Sequence, residues 1–92
     1  MNIQRHFILS DYVALAMAQA LYDKLDDGSF TGSIPTCLGV IAFGSTLRDC
    51  EDELRSTLED WILLGLKFGH ELPIIESIDL NKIPSHESLE SV

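Results

Sequence analysis

The residues able to do chemistry form few groups. Four carboxylates crowd one stretch: Asp49, Glu51, Asp52 and Glu53. Carboxylates gathered on one surface can hold a divalent cation or share a proton. Glu51 and Asp52 are adjacent, however, and adjacent residues on a helix point in different directions. The cluster also opens a predicted helix, where acids complement the positive end of the dipole. The expected role is a solvated helix face. Asp23, Asp26 and Asp27 flank a turn signal, and turn chemistry accounts for Asp27 without a metal. His6, His70 and His86 stand apart from one another. Cys37 and Cys50 form no C-x-x-C pair, so the ligand spacing of a zinc site is missing. Gly28, Gly32, Gly39 and Gly44 are scattered and make no phosphate-cradling loop. No catalytic residue, metal ligand or cofactor is nominated. The enzyme alternative is a residual nuclease or metal-dependent hydrolase resting on Asp26 or Asp49.

Composition narrows the function further. The chain has 92 residues, 46% hydrophobic and 23% charged, which suits one globular domain. Six Lys and Arg against fifteen Asp and Glu leave a formal charge of −9. That balance excludes the usual basic face for gripping nucleic acid phosphates and leaves room for a basic partner. No apolar run is long enough to span a membrane, and the N-terminal residues do not read as a secretory signal. Two cysteines are too few for a disulfide-stapled secreted domain, so reduced thiols in the cytoplasm are expected.

The elements follow from spacing. Residues 1–9 are mixed and expected to be irregular. Ser10 is a good N-cap for a helix over about 11–19, with Tyr12, Val13, Ala16, Met17 and Ala20 at helical spacing. Residues 22–26 and 29–34 make a hairpin around Asp27-Gly28, which suits a type I′ turn. Val40, Ile41, Ala42 and Phe43 form a strand apolar on both faces, so cover is expected on both sides. Thr46 begins the longest helix, with Leu47, Cys50, Leu54, Leu58, Trp61, Ile62, Gly65 and Phe68 as its core stripe and Gly69 as its left-handed end. Residues 71–75, with Pro73, read as an edge strand or arm. The order is α-β-β-β-α-β, an α+β layer pair of antiparallel strands packed on one long helix. The domain is placed at 10–75 and a loose polar tail at 76–92.

One long helix covers one sheet face, so the first helix, a partner chain or both must cover the other. The end of the long helix is apolar nearly all round. Leu63, Leu64 and Leu66 fall off the core stripe, and Phe68 ends it. These four and Ile74 are the candidate oligomer or partner interface, in a chain expected to form a dimer or tetramer.

Three stretches resemble the HicB-like antitoxins of type II toxin–antitoxin systems. YDKLDDGSFTGSIP (22–35) is similar to the family hairpin with its Asp-Gly turn and closing Ile-Pro. LGVIAFGSTLRDCEDEL (38–54) is similar to its Gly- and Thr-containing segment leading into an acidic helix. LEDWILLGLKFGHELPII (58–75) resembles its helix end and Leu-Pro strand. The likeness covers about residues 10–80, with Leu38 where the family often has Pro and Ile41 where it often has a bulky aromatic. It implies a partial ribonuclease H-like β-β-β-α-β fold without nuclease activity and a homo-oligomer. It also implies a small basic mRNA-cleaving toxin, HicA-like, as the partner to be neutralised. Family members often add a C-terminal operator-binding domain. The residues after Ile75 are too few for one, so a short form with an N-terminal helix and no nucleic-acid contact is expected. An orphan regulatory oligomer without a toxin is the alternative.

Overall fold

The computed structural model describes residues 2–82. The elements are α1 (Asn2–Ala18), β1 (Leu21–Lys24), β2 (Phe30–Ser33), β3 (Ile41–Gly44) and α2 (Leu47–Phe68), followed by a short 3-10 turn at Leu80–Lys82. The three strands form one antiparallel sheet in the order β1-β2-β3. The class is α+β, a three-stranded antiparallel sheet with a long helix, as the pattern of elements requires.

Helix α1 differs from expectation at its start. It begins at Asn2, so the stretch 1–9 is not irregular where it is described, and Ser10 lies inside the helix instead of capping it. No Gly or Pro stands between Asn2 and Leu9 to break a helix. Serine caps a helix only where the preceding chain leaves helical geometry. The buried face of α1 is Tyr12, Val13 and Ala16.

The hairpin pairs Leu21 with Ser33, Tyr22 with Gly32, Asp23 with Thr31 and Lys24 with Phe30. Its turn is not type I′, because Asp27 keeps a negative φ and only Gly28 is left-handed, at 89°. The Gly28 amide donates to the Leu25 carbonyl at 2.9 Å, and the Leu25 amide donates to the Ser29 carbonyl at 2.7 Å. This is a longer loop closed by a left-handed glycine. Asp27 prefers its own local bonds, accepting from the Ser29 amide at 3.0 Å and the Ser29 hydroxyl at 2.6 Å.

Helix α2 has the ends its sequence dictates. The Thr46 hydroxyl accepts from the Asp49 amide at 3.0 Å, and Gly69 closes the helix at φ 73°. Cys50, Leu54, Leu58, Ile62 and Gly65 are buried along one stripe. Burying a leucine such as Leu54 or Leu58 contributes about 2 kcal/mol. Trp61 is only partly buried, while Leu47 and Phe68, at the two ends of the predicted stripe, are exposed.

Residues 71–75 do not join the sheet. The side chain of Asn81 occupies the backbone of Leu72 instead: its Oδ1 accepts from the Leu72 amide at 2.9 Å and its Nδ2 donates to the Leu72 carbonyl at 2.8 Å. Ile75 then pairs with Ile78 in an isolated bridge. The first part of the segment expected to be a loose tail is therefore packed, with Leu80 buried beside Ile75 and Leu72. Residues 83–92 of that tail lie outside the described residues. The core joins α1, the sheet, α2 and this arm through Tyr12, Ala16, Ile34, Cys37, Val40, Leu54, Leu58, Leu72 and Ile75.

Candidate interaction surface

The acidic stretch at the start of α2 serves the helix end. Asp49, Glu51, Asp52 and Glu53 are all exposed. The Ser45 hydroxyl donates to the Asp49 carboxylate at 3.3 Å, beside the Thr46 cap. Among the described residues, His, Cys, Asp and Glu form no group of three or more that could hold a metal ion. Asp27 is held below the usual carboxylate range by its hydrogen bonds from Ser29. The imidazole of His70 lies 6.0 Å from the Phe68 ring. The side chain of His6 and all of His86 lie outside the described residues. Cys37 and Cys50 are free and buried, and burial pushes both thiols above their ordinary pKa, which suppresses the reactive thiolate.

The apolar group at the end of α2 is divided by the fold. Leu63, Leu64, Phe68 and Ile74 are each more than half exposed, whereas Leu66 is partly buried against the core. Leu63 and Leu66 join Leu9 and Val13 of α1 in lining an open groove of about 400 Å³ between the helices, with Arg55, Glu59 and Asp60 at its border. Leu64 and Phe68 lie one turn apart on a neighbouring stripe of α2. The Lys67 ammonium sits 5.8 Å from the Phe68 ring centroid. Ile74 stands on the arm beyond the helix, not on the helix itself.

A second apolar surface is one that spacing does not single out. Of the covers expected for the second face of β3, the first helix does not supply one among the described residues, which leaves the partner chain. Val40 and Ala42 are buried, but Ile41 and Phe43 are more than half exposed. Leu21, which pairs with Ser33 opposite Ile41, is equally exposed. The doubly apolar run at 40–43 carries the signal that cover is needed, and does not say whether a helix of this chain or a partner gives it. Among the described residues α1 packs against α2 and the arm, and the large side chains of this face stay exposed. Among the described residues no helix is long and apolar enough to cross a membrane, so these side chains do not mark a transmembrane helix.

The comparisons with known proteins bear on what such surfaces are for. The sequence model of the UPF0150-like family matches residues 11–73. That range runs from the first turns of the buried part of α1 to the Pro73 carbonyl that Tyr12 contacts. The crystal structure of TTHA0281 from Thermus thermophilus is similar to the chain at 36% identity and a TM-score of 0.74, covering 79% of this chain and 91% of that one. No curated protein matches the chain significantly.

Proposed function

The chain belongs to the UPF0150-like family, the HicB-like antitoxin family, and from that premise we propose that it is a non-catalytic antitoxin that self-associates and neutralises a small basic HicA-like toxin. The observation that carries this reading is the family match across the folded core, residues 11–73. The charge of −9 supports it, because an acidic protein steers a basic one into encounter. Eleven large hydrophobic side chains are exposed among the described residues, more than isolated surface residues call for. Self-association and toxin burial would both cover them. The reading places the protein in the cytoplasm, where its two buried thiols stay reduced. Neutralisation would work by occlusion: the antitoxin covers the toxin's RNA-binding surface and contributes no chemistry of its own.

Co-expression with a small basic HicA-like protein, sought in the adjacent reading frame, tests the proposal. The expected result is a co-eluting complex and relief of the growth arrest caused by that protein alone. Failure of both would overturn the antitoxin reading.

A further inference from the structure

The sheet has two faces, and among the described residues only one is covered. Gly32 and Ala42 face α2: both are buried, and a Cβ added to Gly32 would lie 3.2 Å from the Cys50 sulfur. Side chains alternate along a strand, so Leu21, Asp23, Thr31, Ser33, Ile41 and Phe43 point the other way. The register sets Leu21, Ser33 and Ile41 in one row across the sheet and Asp23, Thr31 and Phe43 in the next. The result is an apolar, hydroxyl-bearing plane with its largest side chains in solvent.

Its charge is one-sided. From Gly28 to Leu47 the sequence holds no charged residue, so β2 and β3 contribute none to this plane. β1 carries Asp23 and Lys24. Lys24 belongs to the opposite face, its ammonium 5.9 Å from the ring centroid of Phe30. Asp23 is therefore the charge on the open plane, and the hairpin tip beyond it adds Asp26 and Asp27 with no basic residue.

We infer that this open sheet face is the docking surface for a basic protein partner. The partner's apolar side chains cover Leu21, Ile41 and Phe43, and its Lys or Arg side chains meet Asp23 and the hairpin tip. The inference rests on the antitoxin reading and adds the surface that reading lacks. A second copy fits the plane less well, because it would bring one chain of charge −9 against another with no base on either face. The groove and the end of α2 suit self-association better, since Arg55 borders the groove beside Glu59 and Asp60 and Lys67 stands beside Phe68.

The test uses the full chain and a purified small basic HicA-like protein. Phe43→Lys and Ile41→Lys change exposed side chains, and far-UV circular dichroism checks that each variant folds. Each is expected to weaken binding on the order of 100-fold by calorimetry, as loss of a central apolar anchor does, and to leave self-association unchanged. Asp23→Lys is expected to slow association roughly tenfold at low salt, with the difference fading as salt is added. Wild-type binding by both lysine variants overturns the docking face and leaves the antitoxin reading standing. A change in oligomer mass in Phe43→Lys would assign the face to a second copy and overturn the inference. No binding by the wild-type chain overturns the antitoxin reading and the docking face with it.

Discussion

The Tyr12 hydroxyl donates to the Pro73 carbonyl oxygen at 2.6 Å, tying the middle of α1 to the arm that follows α2. Tyr12 is fully buried, and a buried tyrosine needs a partner for its polar end. The bond spans most of the folded chain, so it joins the first helix to the last packed segment. Tyr12→Phe keeps the ring and removes the donor. The expected cost is about 1–3 kcal/mol, because the Pro73 carbonyl loses its partner in a partly buried place. Urea unfolding of the two proteins measures the difference.

Burial also shapes the response to alkali. Burial, aided by the charges of Cys37 and Asp79, pushes the Tyr12 hydroxyl from 10.0 up to about 12. Burial likewise raises Cys37 and Cys50 above 9.0. In each case the folded state holds its proton more tightly than the unfolded state. That contribution is complete below the unfolded pKa and is lost as pH rises through the folded one. Stability is therefore expected to hold up to about pH 9 and to decline from there toward pH 12. Thermal melts across this range should show the decline. In Tyr12→Phe the decline above about pH 10 should be shallower.

Two glycines mark close approaches of different hardness. A Cβ at Gly44 would lie 2.7 Å from the Cys50 Cα and 2.8 Å from the Asp49 carbonyl carbon, both backbone. A Cβ at Gly65 would lie 2.7 Å from Cδ2 of Leu72, the far end of a side chain. Backbone at the start of α2 cannot step aside, whereas a leucine can change rotamer. Gly44→Ala is expected to cost about 3 kcal/mol or more, and Gly65→Ala about 1 kcal/mol, since the gain in helix propensity offsets part of its crowding. Denaturant midpoints rank the two, and equal losses would contradict the geometry.

These contacts show where sequence reasoning reaches and where it stops. The long helix was legible because its signals are local: Thr46 three residues before Asp49, a stripe from Cys50 to Gly65, and Gly69 at the end. The hairpin was legible for the same reason, although Asp27 favoured its own bonds to Ser29 over the turn expected of it. For residues 71–75, read as an edge strand or an arm, the choice was not legible: the segment is an arm, because its Leu72 backbone is claimed by the side chain of Asn81. A lone Asn in a polar stretch carries no pattern that announces this. The exposed apolar residues were half legible. Leu63 and Leu64 stood out as apolar residues off the helix stripe, and they are exposed. Ile41 and Phe43 stood out as needing cover but not as bare, because an apolar strand looks the same whether its second face is covered or open, and Leu21 carried no signal at all.

The helix end makes its own prediction. Leu63 and Leu64 are both more than half exposed, at positions where a buried face gains nothing from leucine. If they lie at the interface between copies, a charge there must be desolvated or must break the contact. Leu63→Glu and Leu64→Glu are each expected to lower the mass measured by light scattering while leaving far-UV helicity intact. A monomeric wild-type chain in the same measurement would refute the interface.

The tight turn after the arm should accept improvement. Ile75 and Ile78 exchange both backbone hydrogen bonds, at 3.1 and 2.8 Å, across the two-residue turn Glu76-Ser77. Both turn residues have positive φ, 48° and 68°, the pattern of a type I′ turn. Neither is a residue that adopts this region cheaply, and left-handed backbone costs a residue with a Cβ roughly 1–2 kcal/mol. Asn-Gly is the sequence such a turn favours. The double change Glu76→Asn, Ser77→Gly is expected to raise stability by about 1 kcal/mol, after allowing for the extra freedom glycine brings to the unfolded chain. For a domain of this size that corresponds to a rise in Tm of roughly 4–8 °C. Calorimetry of the double variant checks it. A lower Tm would mean that this backbone is not left-handed at both positions.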